Sequence, residues 1–115
     1  RILPNGELEL ISKHENTYAH YEHTTGAHYG TAPFSNIDAC ATDDYVYTLY
    51  AGRSLKEHGM KCFQGNLIRV YDWKGTLVKK LQLDVDVEQI VVSKDDRKIY
   101  AIADLPDPVL VVFEL

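Results

Sequence analysis

The chain has 115 residues, 45 % of them hydrophobic and 25 % charged, with a formal net charge of −5. That length allows one domain at most, with enough apolar residues for a core, and the acidic balance argues against nucleic acid and anionic membrane surfaces as partners. No apolar run is long enough to span a bilayer and no signal peptide stands at the start; since the sequence opens at Arg1 without a methionine, a processed or excised segment is expected.

In chain order, Pro4-Asn5-Gly6 is a turn signal, and Glu7-Leu8-Glu9-Leu10-Ile11 alternates as a strand does. Residues 14–36 are rich in His, Tyr, Thr and Gly without a sustained period, and only a short strand near 18–21 is expected there. The pattern sharpens at residue 37. A strand of small residues over 37–42 leads through the turn Asp43-Asp44 into a second strand over 45–50. There Tyr45, Tyr47 and Leu49 share one face and Val46 the other. A long polar loop is expected over 51–65, with room for one helical turn between its glycines.

Residues 66–83 read as a hairpin. Leu67, Ile68, Val70 and Tyr71 form an apolar strand, and Asp72-Trp73-Lys74-Gly75 forms its turn. An Asp side chain bonds the backbone two residues on, and Gly supplies the positive φ that a type I turn with a bulge requires. The return strand places Leu77, Leu81 and Leu83 on one face. Strands are then expected over 87–93, 98–103 and 109–115, separated by the turn Lys94-Asp95-Asp96-Arg97 and the break Leu105-Pro106-Asp107-Pro108.

The two halves repeat. Ala39-Cys40-Ala41-Thr42, Asp43-Asp44 and Tyr45-Val46-Tyr47-Thr48-Leu49 match Ile90-Val91-Val92-Ser93, Asp95-Asp96 and Lys98-Ile99-Tyr100-Ala101-Ile102. Each copy is strand, acidic turn, strand, then a loop and a third strand, and the first copy has a fourth. The period of about fifty residues is that of four-stranded propeller blades. The expected fold class is therefore all-β, with antiparallel four-stranded sheets forming about two blade units of a β-propeller. The repeats occupy 37–83 and 87–115, and residues 1–36 supply N-terminal strands and loop.

Tyr45 to Arg53, then Ile68-Arg69-Val70-Tyr71-Asp72-Trp73-Lys74-Gly75, the Leu83-Asp84 step and the final Phe113-Glu114-Leu115 resemble the C-terminal part of the TolB-like six-bladed β-propeller family. The resemblance covers roughly residues 37–115. It implies an exported bacterial protein, often a lipoprotein, at the periplasm or cell surface. It carries over no catalytic residues. A ring of six blades takes about three hundred residues at this period.

The chemistry-bearing residues are sparse. His14, His20, His23 and His28 crowd one segment, but His20 and His23, three apart on a strand, point to opposite faces. No metal site and no cofactor are expected. The pairs Asp43/Asp44, Asp84/Asp86 and Asp95/Asp96 read as turn residues at strand junctions. Tyr45, Tyr47 and Tyr100 read as core or inter-blade packing, with a tyrosine stack for sugar or peptide as the alternative. Cys40 reads as a buried strand thiol and Cys62 as a loop thiol, with a disulfide between them as the other option. In a four-stranded blade the second-to-third and fourth-to-first connections emerge on one face. Residues 51–66, 84–87 and 104–108 should therefore share a rim, with Arg53, Lys56, His58, Asp84 and Asp86 as the candidate ligand-binding residues and catalytic residues unknown.

The function expected from these features is non-enzymatic binding or scaffolding toward an unknown protein or small-molecule ligand. The alternative is a propeller enzyme, a hydrolase or lyase, with its site at the central channel. The apolar final strand is expected to be an unpaired edge. It would be covered by the strand at 7–11, and the blade face left exposed would be covered by a homo-oligomer.

Overall fold

The computed structural model describes residues 4–6, 21–22, 26–27 and 33–115. Two short strands, β1 (Tyr21–Glu22) and β2 (Gly26–Ala27), pair antiparallel. The main body begins with β3 (Phe34–Ala41), β4 (Tyr45–Arg53), β5 (Gly65–Asp72) and β6 (Leu77–Val87), which form one antiparallel sheet in chain order. A second sheet follows from β7 (Gln89–Val92), β8 (Lys98–Asp104) and β9 (Pro108–Glu114), again in chain order. The strand expected at 7–11 and the four histidines between 14 and 28 lie outside the described residues.

Alternation along the strands builds the core. Tyr47 and Leu49 on β4, and Ile68 and Val70 on β5, turn inward with Leu83 and Val87 of β6. They meet Ile90 and Val92 of β7 and Ile99, Ala101 and Ala103 of β8 in one continuous cluster. The two sheets thus pack face to face over a shared apolar layer. The second sheet turns its other face outward. Val91, Tyr100, Leu110 and Val112 lie there, with Val91 60 % and Leu110 62 % exposed. Tyr100, expected as core or inter-blade packing, is on this outward face and not in the core, because it alternates with the buried Ile99 and Ala101. Among the described residues β9 pairs only with β8, so its outer edge is unpaired.

The hairpin turn has the expected chemistry. Asp72 Oδ1 accepts from the backbone N–H of Lys74 and of Thr76, both at 2.9 Å, and Gly75 N donates to the Asp72 carbonyl at 3.0 Å. Gly75 stands at φ 84°. A β-branched residue is excluded from that conformation, so Gly75→Val should cost about 1–2 kcal/mol or more, read from the shift in denaturant midpoint. An unchanged midpoint would contradict the turn.

Four local expectations need correction. The long polar loop is largely structured: β4 runs on to Arg53, then come α1 (Leu55–His58) and a 3-10 turn (Gly59–Phe63). Ser54 caps α1 by accepting from Glu57 N, and the Ser54-Leu55-Lys56-Glu57 spelling is a helix-start signal. The cysteines exchange roles. Cys62 is fully buried because the 3-10 turn folds its thiol inward, whereas Cys40 on the edge strand β3 is half-buried, and both are free. Asp84 and Asp86 lie within β6 rather than at a junction. That strand extends over 11 residues, with register shifts opposite 65–67 and 70–71. Finally, Val87 ends β6 opposite Gly65 instead of starting the next strand, so Glu88 alone links the two sheets.

Candidate functional site

The strands divide the molecule into two ends with different chemistry. At one end the tight turns meet. Asp96, in the β7–β8 turn at φ 59°, accepts from Thr42 Oγ1 at 2.7 Å and Tyr47 Oη at 2.8 Å. Trp73 Nε1 of the hairpin turn donates to the Thr42 carbonyl at 3.1 Å. The three turns are thereby tied together across the sheet interface. Burial, then the hydrogen bond and charge of Asp96, hold the Tyr47 hydroxyl well above the ordinary tyrosine range. Further along the interface, the Asp38 carboxylate accepts from Ile90 N at 2.8 Å and Cys40 Sγ from Val92 N at 3.3 Å. These are backbone donors on the free edge of β7, which side chains of β3 occupy. The acidic turn residue Asp96 is thus an inter-sheet acceptor, while its neighbour Asp95 stays local, accepting from Ser93 Oγ at 2.7 Å.

The other end carries the longer connections. Arg53 reaches from the end of β4 to Asp86 on β6 in a bidentate pair, Nη1 to Oδ2 at 3.1 Å and Nη2 to Oδ1 at 2.9 Å. Its Nη1 also donates to the Lys61 carbonyl at 3.2 Å, tying the 3-10 turn to both strands. Two of the five sequence-predicted site residues are therefore brought together and engage each other. Lys56 and His58 lie exposed on α1, and Asp84 lies exposed on β6. The Arg53 guanidinium holds the Asp86 carboxyl below the usual carboxylate range, against the opposing effect of burial. A group whose pKa is depressed on folding stabilises above its unfolded value, near 4, and loses that contribution as pH falls through the folded value. Arg53→Ala should therefore lower stability by about 1 kcal/mol at neutral pH, the pair being partly exposed. The gap from the parent should close on acidification below about pH 4 in thermal melts.

The same end carries a cleft of ≈ 430 Å³ lined by Ile37, Met60, Phe63, Gln64, Glu88, Gln89 and Asp104. None of the seven was singled out from the sequence. Met60 and Phe63 are apolar residues in an otherwise polar connection and were the available signal. The 3-10 turn holds them in place through buried Cys62, the Arg53 contact, and the Phe63 ring, whose centroid is 5.1 Å from that of Phe34. Gln64 Nε2 donates to Glu88 Oε1 at 3.3 Å. Among the described residues no group of three His, Cys, Asp or Glu side chains is arranged to hold a metal ion.

Two antiparallel sheets, each in simple chain order, packed face to face and joined by one residue, are adjacent blades of a β-propeller. The chain belongs to the TolB-like 6-blade propeller-like family, whose match runs over residues 2–95. It includes the N-terminal segment that the sequence resemblance, read over 37–115, left aside. No curated protein and no solved structure matches the chain. No helix among the described residues is long and apolar enough to cross a membrane.

Proposed function

We propose that the protein is a non-enzymatic binding module of an exported, periplasmic or cell-surface propeller protein, and that its ligand sits at the rim formed by the long connections. The observation that carries this reading is the cleft at the end held by the Arg53–Asp86 pair, lined by the apolar Ile37, Met60 and Phe63 and by four polar side chains. The Arg53–Asp86 pair holds the 3-10 turn through the Lys61 carbonyl, and Lys56 and His58 on α1 and Asp84 on β6 are exposed side chains available to a ligand at this rim. Family membership supports the location outside the cytoplasm.

Titration of the isotopically labelled protein with a mixed fragment set, followed by amide shifts, tests the reading. Perturbations should cluster at Met60, Phe63, Gln64, Glu88, Gln89 and Asp104. Binding confined to any other surface would refute it. The outward face of Val91, Tyr100, Leu110 and Val112, next to the unpaired β9 edge, further supports self-association through a second copy of the chain. A clean monomer by light scattering across a wide concentration range would remove that part.

A further inference from the structure

We infer that the rim cleft takes an organic cation on an apolar stem: an alkylammonium or alkylguanidinium group, whether of a free amine or of a lysine or arginine side chain. This rests on the rim-binding reading and adds the ligand class. The lining divides by chemistry. Met60, 73 % exposed, and Phe63, 44 % exposed, are open to solvent, and Ile37 is the third apolar residue of the lining. Glu88 and Asp104 are its only charged members, and both are negative. Glu88 has a single neutral partner, Gln64, and Asp104 has no partner among the described residues. Of the basic groups described at this end, Arg53 is held bidentate by Asp86, Lys61 lies in the field of Asp86, and Lys56 is exposed on α1, outside the cleft lining. Among the described residues, neither carboxylate of the cleft pairs with a basic side chain.

A cation gains from this arrangement in two ways. Two carboxylates beside a low-dielectric wall attract it more strongly than two in open water, and the Phe63 face adds a cation–π contact. The stem covers Met60 and Ile37, surface that is otherwise wet. An anion of the same stem is repelled, and a neutral analogue gains only the apolar part. The carboxylates thus set the class of ligand, and the apolar wall sets the need for a stem.

The test uses three probes of one stem, n-hexylammonium, n-hexanol and hexanoate, with amide shifts and calorimetry on the full chain. Hexylammonium should bind at the cleft, hexanol at least about tenfold more weakly, and hexanoate not at all. Raising salt from about 20 to about 300 mM should weaken the ammonium and leave the alcohol unchanged. Glu88→Gln with Asp104→Asn should bring hexylammonium down to the level of hexanol. Both residues are exposed, so this variant should melt with the parent; if it does not fold, the salt titration of the parent and Met60→Gln, which should weaken the ammonium and the alcohol alike, decide the matter. A blocked tetrapeptide with one lysine distinguishes the two sources. Binding as tight as the free amine points to a basic peptide segment, and weaker binding to a small amine. Hexanol or hexanoate binding as well as hexylammonium overturns the cation class while leaving the cleft a ligand site. Failure of every probe to perturb the cleft overturns both.

Discussion

Asp96→Ala should lower stability by about 4 kcal/mol or more, a large effect for a half-buried turn residue. Two separate losses add. Alanine at φ 59° meets the left-handed penalty of about 1–2 kcal/mol. The hydroxyls of Thr42 and Tyr47 also lose a charged acceptor, each such bond contributing about 1.5 kcal/mol or more. Tyr47 is only 1 % exposed, so water does not readily replace the lost partner. Asp96→Gly isolates the second loss because glycine accepts the backbone conformation, and Asp96→Asn should recover most of both. Chemical denaturation of the three variants ranks them: Ala lowest, Gly intermediate, Asn near the parent. Equal stability of Ala and Gly would mean that the positive φ carries no cost.

The same contact gives an alkaline signature. The Tyr47 hydroxyl titrates above its unfolded value, so the protonated form is favoured by folding. Its stabilisation is complete below about pH 10 and is lost as pH rises beyond that. Asp96→Asn removes the charge that contributes to the shift, and its melting temperature should fall less steeply above about pH 10 than that of the parent.

Ile99→Ala should cost about 2–5 kcal/mol and lower one common transition rather than melt the second sheet alone. Ile99 is fully buried near the start of β8, in the cluster that Leu49, Ile68 and Val70 of the first sheet complete. Removing three carbons there leaves a cavity walled by both sheets. Probes in each sheet, Trp73 in the first hairpin and Tyr100 in the second sheet, should report coincident midpoints in parent and variant. Midpoints that separate would show that the two blades fold independently.

The strands and tight turns were legible in the sequence because their signals are local. A two-residue alternation sets which face of β4 and β5 turns inward, and Asp72 with Gly75 specifies a turn whose hydrogen bonds close within five residues. The fifty-residue repeat likewise reports the blade, since each copy spells the same order of strand, acidic turn and strand. The long connection was less legible. Ser54 and Glu57 spell a cap, but the helix they start is a single turn, too short for a periodic pattern.

Composition, alternation and turn chemistry by themselves determined that this chain is all-β, the order of its main strands and the tight turns between them, and which face of β4 and β5 turns inward. The tertiary structure decided what those sheets do to each other. Asp95 and Asp96 are neighbours of the same type, yet one bonds within its own turn and the other reaches residues 49 and 54 positions away. Arg53 and Asp86, 33 residues apart, pair only once β4, β5 and β6 are assembled in one sheet. The cleft draws Ile37, Met60, Glu88 and Asp104 from four separate elements. Such contacts depend on the packing angle and register of two sheets, which the summed burial of many residues sets and no single residue or short motif encodes.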